Sequence, residues 1–352
     1  MPPIPPRYKQ VGAPLPGGMG TVVICKDEVL ERKVAIKFIQ AATDPRRLLD
    51  EVSALLKLRS KHIVQVYDLI RYGAKDFGII QEFIDGKDLL ESYKAPTTVE
   101  QYYKSLWQIA AGIADIHSVN LIHRDIKPNN MKTDPEGVIK IFDFGLARDA
   151  GPSASTVGFV GTRGFAAPEL YSGAPKFTKA VDTYAFGATA LYLATGRLPK
   201  ELLAQPPTRA ASNYFASLPL GLAPEIAAAL DTCLAAKASG RPSMSEVRDL
   251  LASHLLFEKH RALVVYNGKP SSLNVKSPTV RLELPSIGTI EIRYSGLAFE
   301  VADVSGEIFV NSGSVVAGSR LPGCCVIAFG AAHRGSQRKY VTLDVSHPEI
   351  VL

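Results

Sequence analysis

The chain has 352 residues, of which 46% are hydrophobic and 21% are charged, so it can form a large globular domain and a smaller one. Its formal net charge is +6, but no Lys/Arg block is interleaved with aromatic residues, so we expect no nucleic-acid partner. No apolar run is long enough to cross a bilayer and no signal peptide opens the chain, so we expect a cytoplasmic protein without a membrane partner.

The first part of the chain is rich in strand patterns. A proline-rich arm covers residues 1–7, and β-branched runs such as TVVICK and KVAIKFIQ follow it. Apolar residues at helical spacing predict one helix in DPRRLLDEVSALLKL. A further strand pair, YDLIRYG and FGIIQEFI, completes a predicted lobe over residues 8–82.

The middle of the chain is mostly helical, and its last part changes to short strands. The longest amphipathic stretch is YYKSLWQIAAGIADIHSV, within a predicted lobe over residues 83–259. Beyond it, runs such as TVRLEL, TIEIRYS and CVIAFG alternate with turn residues. We therefore predict a large α+β domain over residues 8–259 and a small all-β, sandwich-like domain over residues 263–352.

Two early motifs are suited to phosphate binding, although each is weak alone. Gly17, Gly18 and Gly20 lie between strand-like runs, where glycine lets the backbone approach a phosphate closely. The segment VAIK places Lys37 on a strand, and Glu51 in the following helix is its natural partner. A glycine cluster is more often a plain turn, and a strand lysine is commonplace.

Three later motifs are more specific because they occur in a fixed order. HRDIKPNN covers residues 123–130, DFG covers 143–145, and APE covers 167–169. With the glycines and the strand lysine, this set resembles the eukaryotic-type serine/threonine protein kinase family, of bacterial kind, over residues 8–259. The resemblance implies a two-lobed kinase fold, with ATP and Mg²⁺ as cofactors and proteins as substrates.

The resemblance assigns roles to the residues of the later motifs. It implies that Asp125 orients the substrate hydroxyl and accepts its proton. It implies that Lys127 contacts the γ-phosphate, which favours serine/threonine over tyrosine kinases. Asn130 and Asp143 match the magnesium ligands of the family.

The resemblance also implies a nucleotide site between the two lobes. Lys37, paired with Glu51, would bind the α- and β-phosphates and is counted with the catalytic residues. The segment QEFIDG is the expected hinge, with Gln81 as its gatekeeper. The expected nucleotide-binding residues are Gly17, Gly18, Gly20, Val22, Ala35, Lys37, Gln81, Glu82 and Phe83.

Other motif residues are expected to support the structure. His123 and Phe144 resemble members of a hydrophobic spine, so His123 is a poor candidate for a catalytic base. Asp182 resembles the aspartate that braces the catalytic loop. Two further expected contacts join Thr162 to Asp125 and Lys127, and Glu169 to Arg241.

The sequence departs from the family pattern at two positions near the nucleotide. Leu15 stands where the first loop glycine is usual. Lys132 stands where an apolar residue usually forms the floor under adenine; we expect its methylenes to cover the ring and its ammonium to reach solvent. Neither change removes a catalytic group.

The segment between DFG and APE contains Ser153, Ser155 and Thr156, which are possible phosphorylation sites. Arg124 precedes Asp125, and kinases with that arginine often use it to bind a phosphate in this segment. A Ser/Thr-rich linker is the equally weighted alternative.

Three other readings compete with a protein kinase. A small-molecule phosphotransferase would lack APE, Lys127 and a Thr162 equivalent, and a Walker-type NTPase would need a GxxxxGK[ST] loop. A pseudokinase or scaffold would have lost Lys37, Asp125 or Asp143, and all three are present.

The last domain is harder to assign. EIFVNSGSVVAGSRLPGCCVIAFG resembles the closing strands of a forkhead-associated phosphopeptide-binding sandwich, but the arginine-loop and Ser-x-x-His signatures of that family are not evident. We favour a β-sandwich that packs on the kinase or recruits a substrate. Its ligand would be a phosphopeptide or another protein.

Overall fold

The computed structural model describes most of the chain, namely residues 3–17, 20–39, 45–72, 75–144, 162–172, 177–208, 213–266, 268–346 and 348–350. The chain divides into two compact units between Leu251 and Ala252. The division falls earlier than residue 259, where we expected the first domain to end.

The first lobe of the first unit is an antiparallel sheet with one helix. Its strands run in the order β1-β3-β4-β6-β5, and β2 pairs with β3. The elements are β1 (Tyr8–Gln10), β2 (Leu15–Gly17), β3 (Gly20–Asp27), β4 (Arg32–Ile39), α1 (Pro45–Lys57), β5 (Val66–Arg71) and β6 (Phe77–Glu82).

Strand alternation in β4 places the functional lysine. Val34, Ile36 and Phe38 point to one face of the sheet and join a core with β3 and β6. Lys37 therefore lies on the opposite face with Ile39, which packs against the α1 side chains. The helical spacing predicted for α1 is confirmed, since Leu48, Val52 and Leu55 are buried in that second core.

The second lobe is built around two buried helices. Thr98 caps the first of them, with its hydroxyl accepting from the Gln101 amide at 3.2 Å. The helices are α2 (Val99–Ser118), α3 (Lys179–Thr195), α4 (Lys200–Leu203), α5 (Pro224–Cys233) and α6 (Met244–Leu255). Short 3₁₀ turns cover Pro128–Asn130, Pro168–Tyr171 and Ala238–Gly240.

A two-stranded hairpin, β7 (Met131–Thr133) and β8 (Ile139–Ile141), lies between these helices in the chain. Its register pairs Met131 with Ile141 and Lys132 with Lys140. Met131 and Ile141 are buried. Because opposite residues in an antiparallel pair share a face, Lys132 and Lys140 project together from the other side of the hairpin.

The second unit contains two antiparallel sheets around one core. One sheet has the order β10-β9-β17-β16-β14-β15 and the other β11-β12-β13. Residues from both sheets, including Val264, Ile290, Ile327 and Val341, share a buried core. The strands are β9 (Ala262–Tyr266), β10 (Lys269–Leu273), β11 (Thr279–Leu284), β12 (Gly288–Tyr294), β13 (Phe299–Gly306), β14 (Ile308–Val310), β15 (Gly313–Ser314), β16 (Cys324–Phe329) and β17 (Lys339–Val345).

The predicted fold class is confirmed. A strand-rich lobe precedes a helical lobe, and β-sheets follow both of them. The predicted switch from helices to strands appears between α6 and β9. In the described ranges, no helix is both long and apolar enough to span a bilayer.

Candidate active site

A buried carboxylate fixes the shape of the loop over residues 123–130. Asp182, on α3, is fully buried and accepts hydrogen bonds from the backbone amides of His123 at 2.8 Å and Arg124 at 2.9 Å. The His117 ring, on α2, lies 2.9 Å from the same carboxylate. Arg124 adopts a left-handed backbone with φ of 69°, which bulky residues rarely do. The bracing contact expected for Asp182 is therefore present.

Asp125, Lys127 and Thr162 form a compact polar cluster. The Lys127 ammonium lies 2.9 Å from one carboxylate oxygen of Asp125. The Thr162 hydroxyl donates to the other carboxylate oxygen at 3.0 Å and accepts from Lys127 at 2.8 Å. Asp125 is buried, so its charge is stabilised by these donors rather than by bulk water.

Asn130 offers an amide oxygen beside this cluster, and Asp143 offers a carboxylate two residues after the end of β8. The Asn130 side-chain nitrogen donates to the backbone carbonyl of Asp125 at 2.7 Å and to its carboxylate at 3.0 Å. This orientation leaves the Asn130 amide oxygen as an acceptor. Amide and carboxylate oxygens are ligands that suit Mg²⁺, so the two residues fit the metal that the sequence implies. No larger His/Cys/Asp/Glu group among the described residues could hold a metal.

The ion pairs around Lys37 differ from the expected arrangement. Lys37 is buried and forms an ion pair with Asp143. Glu51, which we expected beside Lys37, accepts a hydrogen bond from the Arg124 guanidinium at 2.9 Å. Asp182 holds the Arg124 backbone, from which the long side chain reaches α1. The predicted Lys37–Glu51 pair is therefore wrong for this structure, because each residue has another partner.

His123 is held as a neutral, fully engaged ring. Its Nε2 lies 3.0 Å from the Phe142 carbonyl, and its Nδ1 accepts from the Asp125 amide at 3.3 Å. Burial lowers the pKa of His123, since a charged imidazolium would be poorly solvated there. The ring packs on Phe144 with a centroid distance of 4.8 Å. These contacts support a packing role, as expected, and leave no free nitrogen for general-base chemistry.

The expected nucleotide-binding residues lie on neighbouring strands. Val22 pairs with Lys37 between β3 and β4, and Ala35 pairs with Gln81 between β4 and β6. Gly17 pairs with Gly20 at the end of the β2–β3 ribbon, whereas Gly18 lies outside the described residues.

Lysines contact the end of β6 and the segment that follows it. Glu82 pairs with Lys140 at 2.9 Å, and the Lys33 ammonium lies 5.3 Å from the centre of the Phe83 ring. The Lys132 ammonium donates to the Ile84 carbonyl at 3.3 Å. The Lys132 side chain is half-buried, and its ammonium bonds the backbone of this segment.

Comparison with known proteins identifies the family of this site. The family model described as "Protein kinase domain" matches residues 8–251. The chain belongs to the protein kinase family. Protein kinases transfer phosphate with ATP and Mg²⁺, so the motif residues described above have a common chemical purpose in the family.

The relatives of this kinase domain come from eukaryotes and bacteria. It is 35% identical over 188 residues to cyclin-dependent kinase-like 2 of Homo sapiens, covering 51% of this chain and 38% of the relative. It is 33% identical over 198 residues to extracellular signal-regulated kinase 1 of Dictyostelium discoideum, covering 52% and 37%. A probable serine/threonine-protein kinase of Bifidobacterium longum is 34% identical over 205 residues, covering 55% and 27%. The chain thus spans well under half the length of these relatives.

The ion pair expected between Glu169 of the APE motif and Arg241 is present. Arg241 donates from two nitrogens to the two Glu169 carboxylate oxygens, at 2.6 and 2.8 Å. One of these nitrogens also donates to the Ala180 carbonyl at 2.9 Å. Such a two-point contact fixes the relative orientation of the guanidinium and the carboxylate as well as their separation.

Two residues of the site were missed in the sequence. His117 binds Asp182 from α2, and Lys140 binds Glu82 from β8. A histidine on the apolar face of a helix was the available signal for His117. No sequence signal was available for Lys140, because its partner depends on how the β7–β8 hairpin packs against a strand that is distant in sequence.

Proposed function

We propose that this kinase domain is an ATP-dependent serine/threonine protein kinase, which transfers the γ-phosphate of ATP to hydroxyl groups of proteins, including its own. The observation that carries the proposal is the cluster of Asp125, Lys127 and Thr162, in which a carboxylate and an ammonium lie 2.9 Å apart. One group can accept a proton while the other holds a phosphate oxygen, which is what phosphoryl transfer to a hydroxyl requires.

Each residue of the cluster would have a distinct task. Asp125 would orient the incoming hydroxyl and accept its proton. Lys127 would contact the γ-phosphate as negative charge spreads over it. Thr162, which bonds both side chains, would keep them at a fixed separation and so preserve the reactive geometry.

The remaining catalytic and nucleotide-binding residues would hold ATP. Lys37 would bind the α- and β-phosphates. The backbone near Gly17, Gly18 and Gly20 would cover the phosphates, and Val22, Ala35 and Gln81 to Phe83 would enclose the base. Asn130 and Asp143 would hold Mg²⁺, which when bound neutralises charge on the phosphates.

The proposal is tested by following label from γ-labelled ATP into protein in the presence of Mg²⁺. We expect label on serine or threonine of the protein itself or of a generic basic protein. Asp143→Ala should abolish transfer, and Asp125→Asn should remove most of it. Asp249→Asn, an exposed carboxylate on α6 paired with Arg248, is the matched control and should transfer at the unchanged rate.

A pseudokinase or scaffold is the outcome if no label reaches protein with any divalent metal. In that case the β-rich domain proposed for residues 263–352 would carry the function by binding partners. In the main proposal it recruits a protein ligand, such as a phosphopeptide, to a cytoplasmic kinase that binds neither nucleic acid nor membranes. A phosphopeptide array tests this part, with the unphosphorylated peptides as controls.

Phosphorylation of Ser153, Ser155 or Thr156 remains a prediction, because these residues lie outside the described part of the chain. Arg124, the expected phosphate ligand, bonds Glu51 in the structure. Mass spectrometry of active protein tests whether phosphate is present. A triple alanine variant that keeps full activity would show that this segment is only a linker.

A further inference from the structure

Two lysines of the β7–β8 hairpin reach the same short segment but meet different groups. Lys132 and Lys140 are opposite one another in the hairpin register, so their side chains leave the same face. Lys140 binds the Glu82 carboxylate, at 2.9 Å from one oxygen and 3.2 Å from the other. Lys132 binds the neutral carbonyl of Ile84 at 3.3 Å.

This difference leaves the Lys132 ammonium without an ion-pair partner among the described residues. The centre of the Phe142 ring lies 5.8 Å from the ammonium. Lys132 is half-buried, and a partly desolvated cation favours a further acceptor. An ammonium has three N–H donors, and the Ile84 carbonyl accepts only one of them.

The position of Lys132 in the chain connects its remaining N–H donors with the nucleotide site. Our proposed function places the purine base along the segment from Gln81 to Phe83, next to Ile84. Lys132 stands where the family usually has an apolar floor beneath that base. A cationic donor at this place would contact the edge or the face of the base, where an aliphatic side chain could only pack.

We propose that Lys132 is a base-selecting residue of the nucleotide site and shifts its preference from adenine toward guanine; this inference rests on the proposed function. An ammonium only donates hydrogen bonds. It therefore attracts the exocyclic carbonyl oxygen of guanine and repels the exocyclic amine of adenine. By occupying the Ile84 carbonyl, it also competes with any base amine for that acceptor.

The test is calorimetric binding of ADP and of GDP, each with Mg²⁺, to the full chain and to its variants. Lys132→Met keeps the length of the side chain but removes the donor. One hydrogen bond to a charged group corresponds to about a tenfold change in affinity. We therefore expect the ratio of GDP to ADP affinity to fall about tenfold in Lys132→Met, and Lys132→Arg to restore most of it.

Lys140→Met is the matched control, because its ammonium is already paired with a carboxylate. We expect it to change both affinities by the same factor, so that the ratio stays within about twofold of wild type. If Lys132→Met does not fold, as judged by thermal unfolding, Lys132→Gln replaces it. That variant should also lower the ratio, by about threefold or more, since a neutral amide is a weaker donor.

The outcomes separate this inference from the proposed function. If both nucleotides bind and Lys132→Met leaves their ratio unchanged, Lys132 does not select the base, while the ATP site stands. An equal loss of both affinities would make Lys132 only a support for the Ile84 segment. If wild type binds neither nucleotide, both the proposed function and the base selection are wrong.

Discussion

The loop over residues 123–130 and the ion pairs around Lys37 both belong to the candidate active site, but only the first forms the contacts expected from sequence. In the loop, Asp125 meets Lys127 and Thr162 as expected. Around Lys37, two cations and two carboxylates could pair in two ways, and the structure has Lys37 with Asp143 and Arg124 with Glu51.

The two regions differ in how closely the chain holds their residues together. Asp125 and Asn130 are close in sequence, and Asp182 fixes the loop that carries them, so few arrangements are possible. Lys37 and Glu51 lie on separate elements, β4 and α1, so the sequence does not determine which of the neighbouring opposite charges pair.

The largest expected effect is loss of the carboxylate that fixes the loop. Asp182→Ala leaves two buried amides and the His117 ring without an acceptor. Each buried polar group that loses its only partner costs about 1–3 kcal/mol, so the loss of all three contacts should cost about 3 kcal/mol or more. Urea unfolding should show this loss, whereas the exposed Asp249→Ala should change stability by less than about 0.5 kcal/mol. A small effect of Asp182→Ala would mean that the loop holds its own shape.

The sequence predicted those parts of the molecule that depend on local pattern. The β-branched run around VAIK predicted the strand that carries Lys37, and helical spacing predicted α1, in which Leu48, Val52 and Leu55 are buried. The order of HRD, DFG and APE gave the contacts of Asp182, Thr162 and Glu169 because the family fold brings these motifs together.

The missed parts depend on tertiary geometry that no local pattern encodes. The partner of Lys132 is a backbone carbonyl 48 positions earlier in the chain, and a carbonyl has no sequence signal. The Arg124–Glu51 pair depends on the position of α1 relative to the loop.

The second expected effect measures the pairing around Lys37 directly. A double-mutant cycle of Arg124→Met and Glu51→Gln should give a coupling energy of about 1–2 kcal/mol in unfolding experiments, because both side chains are mostly buried. The corresponding cycle of Lys37→Met and Glu51→Gln should give a coupling near zero. If the second cycle couples more strongly than the first, the predicted Lys37–Glu51 pair is the one formed in solution.

A smaller effect is expected for the hydroxyl that joins Asp125 and Lys127. Thr162→Val keeps the shape of the side chain but removes one donor and one acceptor. We expect kcat to fall about tenfold or more, because two hydrogen bonds to charged groups are lost, with the KM for ATP little changed. Thr162→Ser keeps the hydroxyl and should retain most of the activity. Equal losses in both variants would show that packing of the methyl group matters more than the hydrogen bonds.

The smallest effect at neutral pH concerns His123, whose ring packs on Phe144. Burial lowers the pKa of His123 in the folded protein, so the unfolded chain binds a proton more readily than the folded one. The contribution of the neutral His123 ring to the free energy of unfolding should therefore be fully present above the unfolded histidine pKa of about 6.5. It should decline as the pH falls below that value. His123→Phe removes this titration but keeps a flat ring over Phe144. The urea midpoint of the variant should fall less than that of wild type between about pH 7 and pH 5. Parallel curves for the two proteins would mean that His123 titrates normally and that its ring is not held neutral by burial.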